Sequence, residues 1–185
     1  MSIFVRPVRE QLEHDRLIRF LATKYKRKFE VGMNVGDEQA APLKIGAATI
    51  FPDLVLTTGK KLGGIVEVET GESINNLEAL AQWVPYSQTR APFHLYVPMT
   101  MLDGARRLCD ANQVRVAELW TYRSVADGSF DLVRGFHDAS AAAATSPAPA
   151  KSTASKKKPA SRAPARKPAA KKTVKKAPKK KKSKR

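Results

Sequence analysis

Residues 49–70, TIFPDLVLTTGKKLGGIVEVET, decide how this chain folds. Two apolar, β-branched runs, TIFPDLVLTT and IVEVET, flank the turn-forming GKKLGG, so the stretch reads as two adjacent antiparallel strands. Upstream, Pro7 suits the first turn of a helix over VREQLEHDRLIRFLATKYKRK, in which Leu17, Phe20, Leu21 and Tyr25 share one broad side. FEVGMNVG then alternates Phe29, Val31, Met33 and Val35 as a strand, and the polar, proline-containing DEQAAPLKIGA links it onward. Downstream, GESINNLEALAQWVPYSQ predicts a second helix, capped by Ser73, carrying Leu77, Leu80 and Trp83 at helical intervals and ending near Pro85. PFHLYVP is a short buried strand. MTMLDGARRLCDANQ is a third helix with Met101, Ala105, Leu108 and Cys109 inside, and VRVAELWTYRS and FDLVRGF are closing strands. An antiparallel meander followed by crossover units makes an α/β sandwich around a mixed central sheet, with IVEVET near its middle.

Charge divides the chain sharply. Its 185 residues hold 34 Lys and Arg against 17 Asp and Glu, a net charge of +17. Residues 1–138 contain 17 basic and 17 acidic residues and are neutral, while residues 139–185 contain the other 17 basic residues and no acid. A body of that length buries roughly two thirds of its unfolded surface, enough for one cooperative domain. No run approaches the roughly 18 apolar residues of a membrane span, and MSIFVRPVREQLEHDR is charged too early for a secretory segment, so a cytoplasmic protein is expected. The single cysteine, Cys109, has no partner for an internal disulfide or a zinc site and reads as a packing residue.

The tail, residues 139–185, has no aromatic residue, glycine or cysteine, and six prolines interrupt it. With nothing to bury against an ordering cost of ~1–2 kcal/mol per residue, it is expected to be disordered. Its Lys156, Lys157, Lys158, Arg162, Arg166, Lys167, Lys171, Lys172, Lys175, Lys176, Lys179, Lys180, Lys181, Lys182, Lys184 and Arg185 form a polycation suited to nucleic acid. If about ten of these charges meet phosphates, log K falls with log salt at a slope near −9. Lacking aromatics, the tail has no means of stacking on bases. Its Ala/Pro/Lys composition resembles the tails of linker histones and of histone-like nucleoid proteins, which implies DNA as partner and a place on the nucleoid.

Within the body three carboxylates stand out: Asp53 in the first strand of the opening stretch, and Glu67 and Glu69 in the second. Alternation puts Glu67 and Glu69 on one face, and the turn can bring Asp53 beside Glu67. Like charges so close disfavour one another's ionisation, and a divalent cation with all-oxygen ligation, magnesium or manganese, relieves that repulsion.

Pro52-Asp53, thirteen residues, then Glu67-Val68-Glu69, set in helix-strand-strand-strand-helix-strand, resembles the PD-(D/E)XK nuclease superfamily. The resemblance spans most of residues 8–123. It implies a three-layer restriction-endonuclease-like fold and a metal held by Asp53, Glu67 and the backbone carbonyl of Val68. It also implies an acidic residue from the first helix, for which Glu13 and Glu10 are the candidates. Gln82 and Tyr86 match the Q-x-x-x-Y spacing of one branch of the family. Glu69 stands where the family usually has lysine, as in the minority of members with an E-x-E strand, where the second glutamate is a metal ligand or general base. Lys60, Lys61 or Arg90 could replace the missing positive charge. The reading is a magnesium-dependent deoxyribonuclease with Asp53, Glu67, Glu69 and Gln82 in its active site, held on DNA by the tail. RNA as substrate and a homodimer stay open. The alternative is a non-catalytic DNA-binding, nucleoid-associated protein whose nuclease fold has degenerated.

Overall fold

A computed structural model describes residues 7–36 and 38–142. The expected absence of structure in the tail, and the basic residues named for it, lie outside the described residues beyond residue 142. The first residues of that stretch depart from the expectation: Ala139–Ala142 form a turn of helix, α5, and Asp138 accepts from the Ser140 N–H and hydroxyl at 2.8 and 2.6 Å. No helix among the described residues is long and apolar enough to cross a membrane.

The first helix, α1 (Val8–Tyr25), begins at Pro7, whose carbonyl accepts the Gln11 N–H at 2.9 Å. His14, Leu17, Ile18, Leu21 and Ala22 recur at three- and four-residue spacing and form its buried stripe. β1 (Glu30–Met33) follows. Next, in the stretch that reads as a polar link, the structure has a separate hairpin of β2 (Leu43–Ile45) and β3 (Ala48–Ile50). Gly46, at a φ of 59°, makes its turn possible. TIFPDLVLTT is therefore two strands, not one. Pro52 removes a backbone donor between them, and the main sheet is rejoined only at β4 (Leu54–Thr58).

The next turn is shorter than GKKLGG. Thr58 pairs directly with Lys61 across Gly59 and Lys60, and β5 runs over Lys61–Val68. A bulge opposite Leu56 and Thr57 accommodates the extra residue Gly63, where a Cβ would lie 2.8 Å from the Phe29 ring. β5 leads into a helix in three parts: α2 (Asn76–Glu78), a π turn (Ala79–Trp83) and α3 (Val84–Ser87). Asn75, not Ser73, is its cap, accepting from the N–H groups of Leu77 and Glu78 at 3.0 Å each. The wider π turn lets the helix pass through Pro85, which has no N–H to give. That rotation turns Glu78, Ala79, Gln82, Trp83 and Tyr86 inward and leaves Leu77 and Leu80, expected inside, about half exposed. β6 (Phe93–Pro98), a 3₁₀ turn (Met99–Met101), α4 (Leu102–Ala111), β7 (Glu118–Ser124) and β8 (Phe130–His137) complete the order.

The six-stranded sheet has the order β1-β4-β5-β6-β7-β8. β1, β4 and β5 form an antiparallel meander, β5, β6 and β7 are parallel, and β8 pairs antiparallel with β7. The domain is thus α/β around a mixed sheet, with β5 in its interior as expected. Alternation along β5 and β6 sorts the core into two layers. Val66, Val68 and Tyr96 pack with Leu17, Ile18 and Leu21 of α1, while Ile65, Phe93, Leu95 and Val97 pack with Trp83, Tyr86, Ala105 and Cys109. Cys109 is the packing residue expected, and burial pushes its thiol up to about 12.

At the start of β7, Glu118 gathers a polar cluster on the sheet. Its carboxylate accepts from Trp120 Nε1 at 2.9 Å and lies 3.2 Å from His94 Nδ1, 3.3 Å from Arg134 and 3.5 Å from His137. The His94 hydrogen bond, helped by Trp120 and Arg134 against the opposing effect of burial, holds the carboxyl down at about 2. A carboxyl depressed in the folded state contributes stability that is complete above its ordinary value of 4.5 and is lost as pH falls toward 2. Glu118→Gln is therefore expected to lose less stability than the wild type across that interval. Superimposable acid-unfolding curves by circular dichroism would refute this account.

Candidate functional site

The antiparallel register that pairs Leu54 with Val66 sets Asp53 opposite Glu67, at the carboxyl end of β5. The two residues clasp each other through the backbone. The Asp53 N–H donates to Glu67 Oε2 at 3.1 Å, and the Val68 N–H donates to Asp53 Oδ2 at 2.7 Å. Asn34 ties down the chain leading into Asp53: its amide donates to the Pro52 carbonyl at 2.6 Å, and its own N–H to the Asp53 carbonyl at 3.0 Å. A pocket of about 110 Å³ lies here, lined by Asp53, Glu67 and Gln82 together with His14, Gln11 and Asn34.

His14, which carries no sequence signal of a partner, is the unforeseen member. Its Nε2 is 3.3 Å from Asp53 Oδ2 and its Nδ1 3.2 Å from Asp15 Oδ1, which also accepts from Gln11 Nε2 at 2.7 Å. The imidazole is buried between two carboxylates. One turn earlier on the same side of α1, Glu10 buries its Oε2 without a hydrogen-bond partner. Glu13 goes elsewhere. Its carboxylate accepts from the Ser124 hydroxyl on β7 and lines no part of the pocket, because one residue of helix turns it about 100° away from His14.

Glu69 shares the face of Glu67, yet both of its carboxylate oxygens are engaged in fixing structure. Ser73 Oγ donates to Oε2, and Trp83 Nε1 donates to Oε1 at 2.7 Å. Its backbone is held too, the N–H by the Tyr96 carbonyl at 2.8 Å and the carbonyl by the Tyr122 hydroxyl at 2.9 Å. Glu69 is fully buried. Beside it, burial and then the charges of Glu67, Asp53, Glu69 and Glu78 push the Tyr86 phenol far above its ordinary range. Four carboxylates thus act on one hydroxyl.

The lysines and the arginine named for the missing positive charge do not line the pocket. Lys60 and Lys61 stand at the opposite end of β5, and Arg90 precedes the amino end of β6. No Lys or Arg lines the pocket. Among the described residues no group of three or more His, Cys, Asp or Glu side chains is placed to hold a metal ion, so the expected three-carboxylate cage is not formed. The pocket is lined by the Asp53 and Glu67 pair, by the Gln82 amide and His14, and at an exposed position by Glu38. That donor set fits magnesium or manganese in the manner in which magnesium is commonly held, by one or two carboxylates with water and substrate phosphate completing the shell.

No protein-family model, curated protein or solved structure matches the chain.

Proposed function

We propose that the folded domain is restriction-endonuclease-like, and that Asp53 and Glu67 form the phosphodiester-hydrolysing site of a DNA-directed protein held on its substrate by the basic tail. The reading rests on one observation above all: the Asp53–Glu67 clasp, in a pocket that Gln82 also lines, at the carboxyl end of an interior parallel strand, the end at which open α/β sheets take their ligands. A magnesium or manganese ion bound by Asp53, Glu67 and the Val68 carbonyl would neutralise phosphate charge and lower the pKa of water. The chain's own part is orientation. The Val68 N–H and His14 fix the Asp53 carboxylate, the Asp53 N–H fixes that of Glu67, and Gln82 lines the same pocket.

Glu69 acts as a positioning residue in this scheme. Directly after β5, it accepts from Trp83 and so holds the helix that carries Gln82. Glu10, not Glu13, is the first-helix acid on the side of His14. The neutral body gains little attraction to a polyanion, and the tail raises its local concentration on the nucleoid in the cytoplasm. A second reading, the non-catalytic DNA-binding protein, is favoured by the engagement of Glu69 at the position where the resembling family places its lysine.

Hydrolysis of labelled single- and double-stranded DNA and of RNA by the full chain, with magnesium or manganese, tests both. Asp53→Asn is expected to slow metal-dependent cleavage by about a hundredfold or more, several kcal/mol of charge stabilisation being lost. Should the wild type cut nothing while still binding DNA in a salt-sensitive way, the non-catalytic reading stands.

A further inference from the structure

A second cavity, of about 720 Å³, opens on the α1 side of the sheet, at the far end of β5 from Glu67, and shares no residue with the acidic pocket. Its size is that of a small-molecule site. Tyr25, Phe29, Tyr96 and Trp120 line it. Tyr96 and Trp120 lie nearly parallel, with centroids 6.0 Å apart and 9° between planes, and the Tyr25 and Tyr96 hydroxyls meet at 3.0 Å. The rings are held in place: Trp120 by its bond to Glu118, and Phe29 against Gly63, where any side chain would collide with it.

Three exposed lysines line it: Lys24 in the last turn of α1, Lys28 just beyond it, and Lys61 at the start of β5. The one acidic lining residue, Glu118, is already engaged by Trp120, His94, Arg134 and His137. Aromatic walls under a cationic rim match a ligand that is flat and aromatic at one end and anionic at the other. We propose that this cleft binds a nucleotide unit, its base against the aromatic walls and its phosphate on Lys24 and Lys28. The unit comes either as a free mononucleotide or as an unpaired nucleotide of a strand. The tail has no aromatic residue to stack on a base, so base-dependent binding does not come from the tail.

Equilibrium dialysis of the full chain against AMP and against ribose 5-phosphate, with indole emission followed in parallel, tests the assignment. AMP is expected to bind saturably and ribose 5-phosphate far more weakly. Tyr25→Ala is expected to weaken AMP by about five- to a hundredfold, the range of one base–aromatic stack. Lys24→Glu with Lys28→Glu, on the exposed rim, is expected to weaken it as well. Asp53→Asn is expected to bind as the wild type does, which separates this site from the acidic one. Binding of AMP identifies a free nucleotide. If AMP fails but short oligothymidylate binds more tightly than its abasic counterpart, in a manner sensitive to the two lysine reversals, the ligand is a nucleotide within a strand. Equal binding of based and baseless probes, or no effect of the lysine reversals, overturns the proposal.

Discussion

Glu69→Ala is expected to bring the domain close to unfolding, whereas Glu69→Gln keeps it folded. Truncation leaves the Trp83 indole N–H and the Ser73 hydroxyl without their acceptor in a site closed to solvent, and opens a cavity between β5 and the helix through Trp83. An orphaned buried donor costs about 1–3 kcal/mol, and the cavity adds to it. A combined loss on the order of 3–5 kcal/mol is a large share of the 5–15 kcal/mol typical of a domain. Glutamine preserves an acceptor for the indole, and the Ser73 hydroxyl can turn to accept from the new amide, so its cost is about 1 kcal/mol. Urea-unfolding midpoints of the two variants give the comparison, and equal midpoints would rule out the positioning role. The glutamine variant also carries a functional answer. If Glu69 is a ligand or base as in E-x-E nucleases, cleavage disappears in a protein that remains folded; if it only positions, cleavage survives.

The legibility of this fold follows the length of its patterns. Val66 and Val68 alternate with Ile65 and Glu67 over an eight-residue strand, and that period alone assigns each side chain to a layer and makes the Asp53–Glu67 meeting foreseeable. The β2–β3 hairpin escapes because its strands are three residues each, too short for a period, leaving Gly46 as the only sign. Leu77 and Leu80 mislead because a π turn shifts the helical phase by one residue, and that shift answers to Pro85 and to the bond between Trp83 and Glu69, neither of which a 3.6-residue pattern contains. His14 had a readable place, three residues before Leu17 and seven before Leu21 on the buried stripe. What no local pattern holds is its partner, since Asp53 arrives only after β1, β2 and β3. The same distance separates the position of Glu69, which alternation gives, from its engagement by Ser73 and Trp83, which only packing decides.

Glu67→Gln should reverse its effect on stability according to whether magnesium is present. Glu67 lies in the field of Asp53, Glu69 and Glu78 that drives the Tyr86 phenol upward, so neutralising it removes repulsion while the amide oxygen still accepts from the Asp53 N–H. Without metal the variant is expected to be more stable than the wild type by about 1 kcal/mol, or roughly 4 °C in its thermal midpoint. Magnesium at about a hundred times its dissociation constant would stabilise the wild type by about 2.7 kcal/mol, and the variant far less, having lost one of two carboxylate ligands. The order of the two midpoints is then inverted. This crossing distinguishes a metal pair from a merely crowded acidic cluster without any assay of cleavage. In a cluster that binds no cation, the variant stays the more stable protein at every magnesium concentration, and the carboxylates must then be retained for the backbone clasp they make at the end of β5. In a metal pair, the instability of the apo site is the counterpart of its affinity, because the repulsion relieved by the substitution is the same repulsion relieved by the ion.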